Sequence, residues 1–252
     1  MNLNNLFGFI FVLVCFGLVI YFGVAARNRQ ARAWREIPAF GKLRRAVGLA
    51  VEAGTRLHIS IGRGAINSPQ GASGLAGTVL LERLARAASI GDRPPIATSG
   101  DGSLGILSQD TLRSAYRVMG VENQYDPNSG RVAGLTPFSF TAGTMPIIRD
   151  EQVSISVLAG NFGSEAVLMT DAAERSGSPT IGGTDNLSGQ AVLYAAADET
   201  LIGEEVFAGG AYLGAGPMHE ASLTMQDFVR ALIVLLMIIA SALNLIGIDI
   251  IK

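Results

Sequence analysis

The sequence predicts an α/β domain with a layered, largely parallel sheet, flanked by an N-terminal and a C-terminal transmembrane helix. Two observations support this prediction. An apolar run stands near each end of the chain, and between the runs short apolar strands alternate with helices rich in Ala and Leu. A strand followed by a helix favours parallel pairing, because the helix returns the chain to the edge where the strand began.

The first apolar run, residues 6–26, contains no charged side chain. At about 1.5 Å per residue it forms a helix about 31 Å long, which matches the hydrocarbon core of a bilayer. Its small final residues resemble a signal-peptide cleavage site. However, residues 1–5 carry no basic side chain, and arginines follow the run at once. This distribution favours an uncleaved anchor.

The second apolar run, residues 228–248, carries its one charge in the first turn, where Arg230 can extend toward the lipid headgroups. Asn244 is the strongly polar residue of its interior. Asn244 lies near the far end of the span, and two interpretations remain open: a hydrogen bond to another helix, or contact with interfacial water.

Basic residues predict the orientation of the chain in the membrane. Positive charge next to a span stays on the cytoplasmic side, and basic residues are concentrated after the first span, at Arg27, Arg29, Arg32, Arg35, Lys42, Arg44 and Arg45. The opposite side offers the terminal amine and Lys252. We therefore expect the central domain to be cytoplasmic and both termini to lie on the other side.

Residues 27–45 form the predicted juxtamembrane connector. Arginines lie there beside Trp34 and Ile37, and Pro38 interrupts the segment. This mixture is typical of a chain at the headgroup level. It fits either a solvated extension that fixes the topology or recognition of anionic lipid.

The composition of the chain argues against nucleic acid as a partner. The sequence is 49% hydrophobic with a net charge of −2 and a mean hydropathy of +0.37. Near-neutrality gives no electrostatic reason for a nucleic-acid partner. The single cysteine, Cys15, lies in the first span, so the sequence predicts neither an intramolecular disulfide nor a cysteine metal cluster.

The domain itself is expected over residues 46–216 and consists of four strand, glycine loop and helix units. The predicted strands are residues 57–61, 96–98, 153–158 and 180–181. The predicted helices are residues 73–88, 109–119, 164–175, 187–197 and 203–213. This alternation predicts a Rossmann-like domain. Residues 123–130 are turn-rich, and residues 136–149 follow no clear strand, so this part is either an insertion or a helical crossover.

The glycine-rich loops after the strands are the predicted place for a ligand. Parallel sheets bind ligands at the carboxyl ends of their strands, where helix N-termini attract anions. The candidate residues are Gly62, Gly64, Gly100, Asp101, Gly102, Gly160 and Gly163. The stretch Gly62-Arg63-Gly64 does not continue as GxGxxG, and no loop contains the GxxxxGK[ST] phosphate motif. Glycine used for backbone geometry is therefore favoured over anion or nucleotide binding.

Residues 100–103 resemble the start of the thiamine-diphosphate motif, in which GDG opens a loop and a later asparagine completes a Mg²⁺ site. Asp101 and Asn128 stand at the matching separation, and oxygen ligands suit magnesium. The resemblance ends there. Asn128 lies in the turn-rich segment, and the chain is too short for the paired domains of those enzymes. We predict an Asp-Gly turn and no cofactor.

Other catalytic patterns are missing from the sequence. His58 lies in an apolar strand and His219 lies beside Pro217, so both are predicted to be structural. Neighbouring acidic residues, as at Asp150 and Glu151, point in different directions in helices and strands rather than into one acid/base site. We predict neither catalytic residues nor a metal site.

Several segments of the chain resemble a bacterial family of two-span membrane proteins known as a domain of unknown function. The similar segments are residues 57–64, 100–102, 171–177 and 214–217. The resemblance implies a bacterial membrane and no particular activity.

Small residues make the late helices slim, notably over residues 195–197 and 208–211, which permits close helix contacts. Because the domain is tethered at both ends and has no catalytic residues, we predict that the chain is a scaffold or assembly subunit in the bacterial inner membrane. Its expected partners are the lipid bilayer and either further copies or other membrane proteins. The alternative function is ligand or nucleotide sensing through the glycine loops.

Overall fold

The computed structural model describes residues 3–26 and 34–245. They belong to two compact units: Arg35–Ala215 forms the domain, and the described residues outside it form a terminal helical unit. Parts of the predictions lie outside the described residues, namely Arg27, Arg29, Arg32 and Lys252, and the end of the second span at 246–248.

The described residues form nine α-helices and six β-strands. The helices are α1 Leu3–Ala26, α2 Pro38–Glu52, α3 Gly71–Ala88, α4 Gly102–Val118, α5 Pro137–Asp150, α6 Ala166–Arg175, α7 Leu187–Ala196, α8 Glu205–Tyr212 and α9 Pro217–Leu245. The strands are β1 Arg56–Gly62, β2 Ile96–Ser99, β3 Gly130–Val132, β4 Val153–Asn161, β5 Thr180–Thr184 and β6 Glu199–Leu201. Two short 3₁₀ turns, Glu122–Gln124 and Pro127–Ser129, precede β3.

The strands form one parallel sheet in the order β3-β2-β1-β4-β5-β6. This is the strand order of the doubly wound nucleotide-binding fold. Helices α2, α3, α4 and α8 pack on one face, and α5, α6 and α7 pack on the other. The Rossmann-like prediction is confirmed.

Both faces of the sheet are buried, as a parallel sheet requires. On the first face Leu57, Ile59 and Ile61 of β1 join the cluster that contains Leu80 and Leu84 of α3. On the second face Leu158 of β4 joins Phe140 and Phe162, whose rings stack 6.2 Å apart. The core is therefore two layers of apolar side chains separated by the sheet.

The two edge strands are the elements that the sequence pattern missed. β3 and β6 have three residues each, and Val132 at the end of β3 is 47% exposed. Short, partly exposed strands lack the continuous apolar run that marks buried ones. With β3 in place, residues 137–149 fall in α5 and Thr136 is its N-cap, so this segment is the crossover from β3 to β4 rather than an insertion.

Helix α2 includes residues 38–45 of the predicted connector and packs on the domain. Phe40 and Leu43 are buried in the core, and the Phe40 ring stacks on Tyr212 at 4.9 Å. The Tyr212 hydroxyl donates to the carbonyl of Arg35 at 2.6 Å, and Lys42 pairs with Glu199. The described part of the connector thus packs on its own domain through apolar contacts that a solvated extension would lack.

In the terminal unit, α1 and α9 pack against each other in antiparallel directions. Met218 and Ala221 of α9 close over Gly23 of α1, and the rings of Phe22 and Phe228 lie 6.2 Å apart. Both helices are long enough and apolar enough to span a membrane.

Candidate functional site

The candidate site lies where β1 and β4 are neighbours. From β1 the chain continues to β2 and β3 on one side, and from β4 it continues to β5 and β6 on the other. Ligands of open α/β sheets bind outside the carboxyl ends at this switch point. Of the predicted glycines, Gly62, Gly64, Gly160 and Gly163 lie in or next to its two loops.

The protein's own backbone fills the space beside Gly62 and Gly160. Gly62 has a φ of +76°, and a Cβ there would lie 2.5 Å from both the nitrogen and the oxygen of Asn161. A Cβ on Gly160 would overlap the carbonyl oxygen of Ile61. Both glycines are needed because β1 and β4 approach each other closely as they end.

Of the other candidate glycines, one is enclosed by backbone and two by side chains. A Cβ on Gly64 would overlap the carbonyl of Gln70, and one on Gly163 would overlap the carboxylate of Glu165. A Cβ on Gly100 would overlap the Arg63 side chain. Among the candidates only Gly102 has open space around it. Close approach of the backbone therefore accounts for Gly62, Gly64 and Gly160, whereas Gly100 and Gly163 meet side chains that can move.

Asp101 is the N-cap of α4. Its Oδ1 accepts hydrogen bonds from the backbone nitrogens of Ser103 at 2.9 Å and Leu104 at 3.2 Å. The side-chain hydrogen bond from Ser103, followed by those from the backbone, holds the pKa of the carboxyl below its usual value. Because the cap allows α4 to start at Gly102, the helix begins well before the predicted Gln109.

The structure therefore gives local roles to both residues of the thiamine-diphosphate resemblance. Asp101 caps its own helix, and Asn128 lies in the second 3₁₀ turn, where its backbone nitrogen donates to Asp126 at 2.9 Å. Among the described residues, no group of three or more His, Cys, Asp and Glu side chains is placed to hold a metal ion.

Sequence reasoning missed a partly buried ion pair at the switch point. Arg63 Nε lies 3.2 Å from Oε1 of Glu165, whose side chain is 7% exposed. The same oxygen accepts from the Gly163 nitrogen at 3.1 Å. Beside this pair, Asn161 Nδ2 donates to Asp185 Oδ1 at 2.8 Å. Because the paired residues are far apart in sequence, no local sequence pattern indicates these contacts.

His58 is structural, as predicted. Its Nδ1 lies 2.8 Å from Ser156 Oγ and its Nε2 lies 2.9 Å from Thr98 Oγ1, which in turn bonds Ser60. All four side chains are fully buried within the sheet. Burial lowers the pKa of His58 to about 3, so the ring is neutral at physiological pH. His219 lies in the first turn of α9.

The neighbouring acidic residues bind separate partners. Glu151 bridges Arg56 at 3.2 Å and Arg131 at 2.9 Å, whereas Asp150 pairs with Arg149 at 2.8 Å. These carboxylates serve as structural anchors and do not share one site.

A surface pocket of about 530 Å³ runs beside α4 and is lined by residues that include Gln109, Arg113, Glu122 and Tyr125. Two of its charged residues are paired with each other, because Arg113 contacts Glu122 at 3.0 Å. Asp110 also lines the pocket. None of the candidate glycines lines this pocket.

Comparison with known proteins places the chain in a family. The family described as a domain of unknown function (DUF6754) matches residues 1–252. The chain belongs to this family. No curated protein and no solved structure matches it. The sequence resemblance is thus confirmed for a domain of unknown function with two candidate membrane helices.

The carboxyl edge of the sheet in this DUF6754 domain carries several exposed apolar side chains. Parallel strands end at one edge, and five of the six are followed by an exposed large apolar side chain in the next loop or first helical turn. We call this set the apolar rim: Ile66, Leu135, Phe138, Val167, Leu187 and Ile202. Leu187 and Phe138 are 82% and 71% exposed. The sequence prediction missed the rim because these residues come together only when the strands align.

Proposed function

We propose that the chain is a membrane-anchored scaffold or assembly subunit without catalytic activity, whose domain docks a partner protein through the apolar rim. The rim is the observation that carries the proposal. Single exposed apolar side chains are common on soluble domains, whereas a set gathered on one edge is typical of an interaction surface. Scaffolding requires such a surface and no catalytic group.

The charged groups around the rim fit this role. Arg63 is paired with Glu165, and Asp185 accepts from Asn161. The paired charges of Arg63 and Glu165 cost less to desolvate on docking than isolated charges would, whereas Asp185 keeps its negative charge.

The proposal places the chain in a bacterial inner membrane with a cytoplasmic domain. Two apolar helices support the anchoring, and the arginines that follow the first one support the orientation. Beyond the lipid bilayer, the proposed partners are membrane proteins or further copies of this chain, and nucleic acid is not among them.

Replacement of rim residues tests the proposal. The full chain, extracted gently from its native membrane, should migrate as a discrete particle larger than a monomer. Replacing Phe138 and Leu187 together by Ser should shrink that particle. The matched control replaces Ile90 and Met119 by Ser, because these exposed residues lie at the opposite edge of the sheet.

The control particle should keep its size. An unchanged particle in the rim variant, or a monomer in the unaltered chain, would overturn the proposal. Light scattering together with native mass spectrometry measures both outcomes.

Ligand or nucleotide sensing is the second candidate, and one observation favours it. Helix α3 begins at Gly71 next to the switch point, and its N-cap residue Gln70 provides no side-chain hydrogen bond. An uncapped helix start attracts anions. A rise in the melting temperature of a monomeric chain with a nucleotide, but not with inorganic phosphate, would favour sensing over assembly.

A further inference from the structure

Polar side chains lie on one flank of α9 within the predicted span. Val234, Met237, Ser241 and Asn244 follow one another at intervals of three, four and three residues and are all exposed or partly exposed on the helix surface. We call these four residues the α9 stripe. This spacing is the heptad pattern of left-handed helix pairs. The stripe therefore has the geometry of a helix-packing surface.

Helix α1 does not cover the stripe. Ala240 and Leu243 of α9 are partly buried in the pair with α1, whereas the neighbouring Ser241 and Asn244 are exposed. No hydrogen bond of either side chain occurs among the described residues 3–26 and 34–245. At about 100° per residue, the centre of the stripe is turned by about 110° from the midpoint of Ala240 and Leu243.

In the hydrocarbon core of a membrane, the side chains of Ser241 and Asn244 cost free energy if they have no hydrogen-bond partner. Counting about 1.5 Å per residue from Arg230, Ser241 lies about 16 Å and Asn244 about 21 Å along the span, inside a core about 30 Å thick. Lipid tails provide no hydrogen-bond partner, and side chains of this kind pair across helices in membranes.

We propose that two copies of the chain pair in parallel through the α9 stripe, with the Asn244 amides hydrogen-bonded to each other. Copies inserted with the same topology hold Asn244 at the same depth, so a two-fold axis along the membrane normal places the two amides face to face. An amide contains both a donor and an acceptor and is therefore self-complementary. This inference rests on the proposed membrane insertion and names one partner for the assembly.

Disulfide cross-linking in vesicles tests the pairing. In the full chain with Cys15→Ser, Met237→Cys puts a thiol on the stripe and leaves Ser241 and Asn244 in place. Ile238→Cys is the matched control, because it is at nearly the same depth and similarly exposed, 61% against 67%, but points about 100° away. Oxidation should give a covalent dimer from Met237→Cys and far less from Ile238→Cys.

Replacement of the amide gives the second measurement. Adding Asn244→Leu to Met237→Cys should weaken the pair by roughly three- to twentyfold, measured as the lipid dilution that halves cross-linking, and Asn244→Gln should restore much of it. Equal cross-linking from the two reporter positions would overturn the proposal. So would an unchanged dilution midpoint for Asn244→Leu.

The cross-linking measurements distinguish failure of the α9 pairing from failure of the proposed docking through the apolar rim. The Phe138 and Leu187 variant retains the α9 stripe, so its Met237→Cys form should cross-link normally even if rim partners are lost. Conversely, Asn244→Leu should leave rim-dependent partners bound to the single chain.

Discussion

Several buried polar side chains of the sheet bond partners on neighbouring strands. His58 is the clearest example: with Thr98 donating to Ser60, we assign the Nε2–H tautomer, which donates to Thr98 and accepts from Ser156 at Nδ1. A buried group with partners on both sides adds specificity at low cost, whereas protonating it introduces an uncompensated charge.

His58 should therefore make the domain acid-sensitive. Its pKa is about 3 in the folded chain, against 6.5 for a histidine in water. Between these values the unfolded chain binds a proton that the folded chain does not, so the free energy of unfolding should fall with falling pH by about 1.4 kcal/mol per pH unit. Urea unfolding of the full chain in detergent should show this extra slope against His58→Gln, and parallel curves would contradict it.

Two of the candidate glycines should respond in opposite ways to Ala. Gly64→Ala forces a Cβ into the carbonyl of Gln70 and should destabilise the domain by about 1–3 kcal/mol. Gly102→Ala, in open space at the first turn of α4, should be neutral or slightly stabilising. Chemical denaturation compares the two, and equal effects would show that packing is not the reason for Gly64.

The switch-point ion pair should behave as a coupled unit. Arg63→Met leaves the buried Glu165 carboxylate without its cation and should cost about 1–3 kcal/mol of unfolding free energy, less than a fully buried pair because Arg63 is 23% exposed. Adding Glu165→Gln should recover part of that loss. A double-mutant cycle measures the coupling, and strictly additive losses would argue against a functional pair.

Whole elements differ in how strongly their own sequence determines them. The strands β1 and β4 are continuous buried runs, and α5 has a Thr136 and Ser139 capping box with Pro137 in its first turn. By contrast, β3 and β6 owe their pairing to neighbours, since each has three residues at a sheet edge. These two segments become strands because they form hydrogen bonds with β2 and β5, and no local sequence pattern predicts this pairing.

The start of α4 depends on its cap. Asp101→Ala removes the acceptor for two backbone nitrogens and should lower the free energy of unfolding by about 1 kcal/mol. Asp101→Asn keeps an acceptor oxygen and should cost much less. Thermal denaturation followed by circular dichroism distinguishes the two. Equal losses would show that the charge, rather than the capping geometry, stabilises α4.

At the scale of the whole molecule, the distribution of arginines predicts the topology. With Cys15→Ser as background, Asn123→Cys in the domain should react with a membrane-impermeant maleimide only after cells are opened. A cysteine at position 2 should react in intact cells. Labelling of Asn123→Cys in intact cells would contradict the cytoplasmic placement.

The sequence by itself determined the two apolar helices, the Rossmann-like class and the structural role of His58. Composition and periodicity are local properties, and they suffice where burial runs along a whole element. Only the tertiary structure decided the edge strands, the Arg63 and Glu165 pair, the enclosure of the glycines and the apolar rim. The edge strands, the ion pair and the rim each join residues from different strands or from the loops that follow them. The physical reason is that parallel pairing brings segments that are distant in sequence to one edge of the sheet.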